Sequence, residues 1–238
     1  MKKLITTAAV ALAFLSAGAQ NHATHVTIDY TLNSDLPWIL RYDSQIQAFR
    51  EADKEVTDFT CDALFAGSSS IKLWSSLKED FPELKCVNRG YGGSMIRDIL
   101  YNYSTVFGKY QPANIVFYCD NDICGSKTRD VTMAEWFDLH RVIFQKMHAD
   151  YPEAQIYALC VKYSDSRLAI RDKEAILNLM LKEYCEQNDW MTYIDVNTPL
   201  LTAEGTPDPK YFREDLMHIN REGYKLWAEA LKQVGFGK

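Results

Sequence analysis

Four short stretches of this chain hold side chains and backbone groups from which nucleophilic chemistry can be assembled. The first, "GSSS" at 67–70, presents three hydroxyls at the end of an apolar run. Serine is among the best residues for satisfying the free N–H groups of a starting helix, and one serine would suffice. The alternative is a nucleophile awaiting a base, and spacing leaves both open. The second, "NRGYGGSMIRD" at 88–98, carries Gly90, Gly92 and Gly93. Such glycines let main-chain N–H groups approach a ligand or simply make a tight turn, and the P-loop lysine and dinucleotide spacing are absent. In the third, "YCDNDIC" at 118–124, Asn121 can close a turn through its own backbone or aim an amide donor into a cleft. The fourth, "EDLMHINREGY" at 214–224, sets Asp215 three residues before His218. A helical turn there would let the carboxylate hold the imidazole in one tautomer. Of the five histidines, His22 and His25 lie near the start, and His140 and His148 fall on a helical pattern where packing or solvent explains them.

These stretches need elements to position them. Short apolar runs at 63–66, 85–88, 114–119, 155–160 and 192–196 are rich in Val, Ile, Leu, Phe and Tyr, and each is followed by a loop or cap signal. Between and around them lie helical patterns at 44–55, 71–80, 95–107, 133–150, 167–187 and 221–234. Trp136, Leu139, His140, Ile143, Phe144 and Met147 make one apolar helical face, whose ordinary meaning is core packing. Five strands alternating with helices predict an α/β domain with a parallel sheet covered on both faces. In open parallel sheets, functional groups collect in loops beyond the carboxyl ends of the strands, where the first three stretches fall.

Taken in order, the stretches supply a serine, a glycine N–H, an asparagine amide and an Asp–His pair. In this the chain resembles the SGNH hydrolase superfamily, also called GDSL esterases and lipases. It is most similar to the branch that includes the platelet-activating-factor acetylhydrolase subunits, and the likeness runs from about 62 to 234. The resemblance implies a three-layer α/β/α sandwich of flavodoxin type around a five-stranded parallel sheet. It also implies that Ser69, third in Gly67-Ser68-Ser69, is the nucleophile, with Asp215 and His218 completing the triad. The backbone N–H groups of Ser69 and Gly93 and the amide of Asn121 would form the oxyanion hole. The reaction implied is hydrolysis of a carboxylic ester through an acyl-enzyme, with neither metal nor organic cofactor required. Ser68 stands where the family has an acidic residue, Cys119 where it commonly has glycine, and Leu216 where glycine often follows the aspartate. Cys119 is expected to help wall a small pocket, and Trp74, Tyr91 and Tyr118, close to the motif loops, to offer aromatic surfaces to substrate.

Composition limits the partners. The chain has 238 residues, 47% apolar and 24% charged, enough for one α/β domain with a full core. Lys2 and Lys3, an apolar run over 4–15 and Ala17-Gly18-Ala19 have the pattern of a cleaved secretory signal. The expected organisation is a signal peptide at 1–19, an extended arm at 20–41 and the hydrolase domain at 42–238, in a secreted or periplasmic protein. Cleavage would remove two lysines and move the formal charge from −6 to −8. An acidic chain without a basic tract has no electrostatic footprint for nucleic acid or anionic lipid. The expected partner is a small-molecule or glycan ester, without stable membrane insertion, because no apolar lid or interfacial helix is apparent. The first choice of substrate is an acetyl ester on a carbohydrate, then a lysophospholipid or other short-acyl ester; a glycan-binding module without turnover is the competing class. The six cysteines read as buried thiols rather than a disulfide framework, and without a nearby histidine Cys119 and Cys124 make a poor zinc pair.

Overall fold

The architecture follows from where the apolar runs lie. In a computed structural model, described over residues 40–126 and 130–237, they become β1 (Thr60–Gly67), β2 (Cys86–Gly90), β3 (Gln111–Tyr118), β4 (Gln155–Leu159) and β5 (Met191–Ile194). All four pairings are parallel, and the order across the sheet is β2-β1-β3-β4-β5. Helices cover both faces, so the α/β sandwich is as expected. The signal pattern at 1–19 and nearly all of the arm lie outside the described residues. Among the described residues no helix is long and apolar enough to cross a membrane.

Side-chain alternation divides the core in two. Leu64, Ala66, Ile115, Phe117, Ile156 and Ala158 face one layer, which includes Ile46 of α1 (Asp43–Ala52), Ile99 of α4 (Ile96–Tyr101), Val106 of α5 (Tyr103–Val106), Phe144 of α6 (Met133–Asp150) and Leu177 of α7 (Arg171–Glu186). Ala63, Phe65, Val116, Tyr118, Tyr157 and Leu159 face the other, with Ile71 of α2 (Ser69–Lys72), Leu77 of α3 (Leu77–Asp80) and Trp227 and Leu231 of α8 (Arg221–Gln233). Helix α6 occupies its expected span and buries Trp136, His140, Ile143, Phe144 and Met147. It starts at a capping box in which Thr132 and Glu135 satisfy each other's backbone N–H groups. His140 is a core residue: its Nδ1 lies 2.9 Å from the Trp136 carbonyl, and burial lowers its pKa to about 3, so it stays neutral.

Strand order decides where a site can form. The chain leaves β1 toward β2 on one side and reaches β3 on the other, which opens a crevice at the carboxyl ends of β1 and β3. Gly67 and Tyr118 pair at that end, so the loops holding Ser69 and Asn121 emerge side by side. Gly67 is confined to glycine here: its φ is +141°, and an added Cβ would lie 1.9 Å from the Tyr118 carbonyl oxygen.

Candidate active site

Ser69 is the first residue of α2, and its hydroxyl does not cap the helix. Ser68 occupies the cap position without a capping bond; fully buried, it directs Oγ toward Asp120 Oδ1 at 3.4 Å. Ser70 is buried, and its carbonyl accepts the Tyr224 hydroxyl at 2.8 Å. Ser69 Oγ instead lies 2.9 Å from His218 Nε2. On the other side of the ring, His218 Nδ1 is 2.6 Å from Asp215 Oδ2.

The Asp215–His218 segment is not the helical turn that the spacing invited. Asp215 Oδ1 accepts the N–H groups of Met217 and His218 at 3.0 and 2.9 Å, an Asx-type turn that folds the imidazole back over the same carboxylate. An antiparallel bridge between Phe212 and Ile219 closes the loop, and Arg213 N–H donates to the His218 carbonyl at 2.7 Å. Partial burial raises the Asp215 pKa, but the His218 hydrogen bond and the two backbone donors outweigh it and bring the value to about 2. An ionised carboxylate only accepts, so Nδ1 must carry the imidazole proton. In the neutral ring Nε2 is then left as acceptor for the Ser69 hydroxyl.

Each remaining group is held by an element other than its own. Gly93 has a φ of +79°, and its carbonyl accepts the Tyr42 hydroxyl from just ahead of α1. Gln45 of α1 grips the preceding residue with both ends of its amide: Oε1 accepts Gly92 N–H at 2.9 Å and Nε2 donates to Gly92 O at 3.3 Å. Asn121, half-buried, donates from Nδ2 to the Ser94 carbonyl at 3.0 Å, which joins the second and third loops. Asp122 adds a second joint by accepting Ile96 N–H at 2.9 Å; burial raises its pKa to about 6 against that bond.

Beneath these loops lies a buried charged cluster. Arg167, in the turn Asp165–Ile170 after β4, donates to Asp120 Oδ2 at 2.6 Å and to Asn121 Oδ1 at 2.9 Å. Lys162 Nζ is 3.8 Å from the same Asp120 oxygen, and the Tyr118 hydroxyl donates to it at 2.8 Å. Burial raises the Asp120 pKa, but Arg167, Lys162 and Tyr118 together hold it at about 2. Glu174 of α7 is fully buried with neither carboxylate oxygen hydrogen-bonded, and burial raises its pKa to about 7.

Several expectations are corrected. Trp74 is 1% exposed: its indole N–H donates to Asp80 at 2.8 Å and its ring stacks on Tyr224 at 5.2 Å. Tyr91 is completely buried, edge-on to Tyr42 and Phe49. Tyr118 packs on Trp227 with its hydroxyl committed to Asp120. All three are core side chains and offer no surface to a substrate. Cys119, 3% exposed, sits in the core with its thiol toward the Ser94 carbonyl, so it walls no pocket. Helix α2 is a single turn, so its dipole adds little to the discrete N–H groups beside Ser69.

Tyr42, Gln45, Asp120, Asp122 and Arg167 were not singled out from the sequence. Asp120 and Asp122 flank Asn121 in "DND" and were within reach of motif reading. Arg167 lies in the loop after the fourth strand, where the same carboxyl-end rule applies.

Solved structures share this arrangement of sheet and helices. A Streptococcus protein described as a platelet activating factor superimposes with a TM-score of 0.71 at 21% identity, over 86% of this chain and 97% of that one. A GDSL-like lipase from Bacteroides thetaiotaomicron gives 0.62 at 17% identity, covering 82% and 96%. The fold is that of the SGNH hydrolases. An acetylxylan esterase from Geobacillus stearothermophilus has the same SGNH fold, with a TM-score of 0.60 at 16% identity over 76% of this chain and 97% of that one. No protein-family model matches the chain, and no curated protein matches it. Within the SGNH fold the position after Asp215 now has a physical description: Leu216 is the one non-glycine among the described residues with positive φ, +51°.

Proposed function

We propose that the protein is a serine hydrolase of carboxylic esters, with Ser69, His218 and Asp215 as its catalytic triad. The observation that carries this reading is the unbroken line from Ser69 Oγ through both ring nitrogens of His218 to Asp215, at 2.9 and 2.6 Å. In the first half-reaction His218 Nε2 takes the hydroxyl proton as Ser69 Oγ attacks the ester carbon. The tetrahedral oxyanion is met by the N–H groups of Ser69 and Gly93 and the Nδ2 of Asn121. Each such donor lowers the barrier by roughly 3 kcal/mol. His218 then protonates the departing alcohol, and in the second half-reaction it activates a water that releases the acid from Ser69. Throughout, Asp215 orients the ring and stabilises the imidazolium.

The substrate reading is an acetyl or similarly short acyl group on a carbohydrate, acted on outside the cytoplasm after removal of residues 1–19. Its support is the signal pattern, the acidic composition, and a fold shared with an acetylxylan esterase. One feature favours the lipid alternative. Leu168 and Leu216 are 61% and 40% exposed, and a bond from Ser166 N–H to the Leu216 carbonyl at 3.5 Å joins their loops beside His218. An apolar acyl groove would add about 0.8 kcal/mol per methylene, so a lipase-like site gives kcat/KM rising steeply from p-nitrophenyl acetate to octanoate. The proposal expects the reverse order, with acetate released from acetylated xylan and no fatty acid from lysophosphatidylcholine. Octanoate preference without acetate release overturns the substrate and leaves the triad standing. Absence of turnover with every ester, and of fluorophosphonate labelling, overturns the hydrolase.

A further inference from the structure

Asn121 is a useful oxyanion donor only if its amide nitrogen, not its oxygen, faces the cleft. The two ends of a primary amide have nearly the same shape, so packing alone does not choose between them; hydrogen bonding does. The chemistry of the neighbour settles the choice here. Arg167 Nη2 lies 2.9 Å from Asn121 Oδ1, and a guanidinium has only donors, so the end of the amide turned to it must be the acceptor. Nδ2 then points the other way, where one N–H reaches the Ser94 carbonyl and the second is unused among the described residues.

Arg167 is itself held on its other edge. Its Nη1 donates to Asp120 Oδ2 at 2.6 Å and to the Asp120 carbonyl at 3.3 Å. Asp120 in turn receives the Tyr118 hydroxyl at 2.8 Å and lies 3.8 Å from Lys162 Nζ. The guanidinium thus spans two consecutive residues of the loop after β3, gripping a carboxylate with one nitrogen and an amide oxygen with the other. At 5% exposure its alternatives in water are few. A lysine there keeps the charge but presents a point rather than a planar fork, and does not hold both acceptors in one geometry.

We propose that Arg167 is a positioning residue for hydrolysis: by fixing the orientation of the Asn121 amide it sets the side-chain donor of the oxyanion hole, with Asp120 holding Arg167 in place. The inference rests on the serine-hydrolase reading and adds to it a residue from the loop after the fourth strand. A donor that strengthens only as charge develops on the oxygen raises kcat without changing ground-state binding. Loss of its orientation therefore lowers kcat and spares KM.

The test is a double-mutant cycle on p-nitrophenyl acetate with Arg167→Met, Asn121→Ala and the pair. Asn121→Ala should lower kcat by about 10²- to 10³-fold, and Arg167→Met by roughly 10- to 100-fold, with KM within about threefold. Because Arg167 acts through Asn121, the double variant should fall no more than about threefold below Asn121→Ala. A double variant that loses the product of the two single effects overturns the proposal. If Arg167→Met does not fold, Arg167→Lys replaces it in the cycle: it should melt near the wild-type temperature yet keep the kcat loss, and wild-type kcat in that variant overturns the assignment. A readout independent of turnover is the Asn121 side-chain NH2 pair in a 15N–1H spectrum, identified by its disappearance in Asn121→Ala. It should move and broaden in Arg167→Lys, and an unchanged pair refutes the contact. A wild-type protein that hydrolyses no ester would overturn the hydrolase reading, and the amide spectrum would then decide on Arg167 alone.

Discussion

At the scale of single residues, the three consecutive serines have three different fates, and each fate makes a prediction. Only Ser69 reaches an imidazole. Ser69→Ala should abolish labelling by a serine-directed fluorophosphonate as well as turnover, while Ser68→Ala and Ser70→Ala keep most of both; mass spectrometry of the labelled peptide checks it, and label surviving on Ser69→Ala refutes it. His218→Ala should lower kcat by at least about 10³-fold with the circular dichroism unchanged. Asp215→Asn is the more informative change. Its carboxylate has a folded pKa of about 2, below the ordinary value, because His218 and two backbone donors bind the charged form. It therefore stays ionised at any working pH and keeps the proton on Nδ1. An asparagine can present its NH2 to that nitrogen and select the wrong tautomer, with an expected kcat loss of about 10²- to 10⁴-fold and near-native KM. His140→Ala probes folding alone, since the ring is buried in the α6 face.

At the scale of elements, the loop after β3 and the loop before α8 carry the tightest conditions. Leu216 has a left-handed backbone, φ +51°, which costs an L-residue roughly 1–2 kcal/mol. Leu216→Gly removes that strain at some cost in unfolded-chain entropy, so urea unfolding should show a net gain of about 0.5 kcal/mol. Gly67→Ala goes the other way: its Cβ would lie 1.9 Å from the Tyr118 oxygen, and little folded protein is expected. How far these elements were legible depended on where their determinants lie. The strand cores at 63–66, 114–118 and 155–159 were readable because both faces of a covered sheet demand apolar residues. The beginnings of β1 and β3, Thr60 to Asp62 and Gln111 to Ala113, were not, since each has one buried residue between two exposed ones and pairing rather than hydropathy makes them strand. The helix expected at 71–80 is two helices, because Ser76 and the Trp74 indole both turn to Asp80. The one expected at 95–107 breaks at Asn102, whose side chain bonds back to the Asp98 carbonyl at 3.0 Å. The Asp215–His218 pair could be read from local spacing, whereas spacing left the three serines open and only the family resemblance pointed to Ser69. Arg167 is 46 residues from Asn121, and only the sheet order brings them together.

At the scale of the whole molecule, buried charge sets how stability responds to pH and to truncation of a partner. Glu174 has a folded pKa of about 7, above its ordinary value, because burial disfavours its charge more than Arg167 and Lys162 favour it. The native state therefore holds a proton the unfolded chain releases: the stabilisation is complete below about pH 4.5 and is lost as pH rises through about 7. Glu174→Gln should match the wild type near pH 4 and exceed it by about 3 kcal/mol at pH 8 in urea titrations, and a difference that does not grow with pH refutes the assignment. In a second buried cluster, Asp53 at the end of α1 takes a two-pronged bond from buried Arg89, both at 3.0 Å, and the Tyr110 hydroxyl at 2.9 Å. Asp53→Ala strands that guanidinium and should cost about 3–5 kcal/mol. Helix α1 is thus anchored at both ends, and its leading end matters for handling the protein. Tyr42 and Gln45 hold Gly93 and Gly92 directly, so a displacement at the start of α1 is passed on to the loop proposed to supply an oxyanion donor. The other end of the chain is placed differently: just beyond α8, Phe236 packs against Phe65, Phe81 and Tyr157, on the sheet face opposite α1. A carboxyl-terminal tag on a linker is therefore expected to leave the kinetics unchanged, which comparison of the tagged and untagged protein checks.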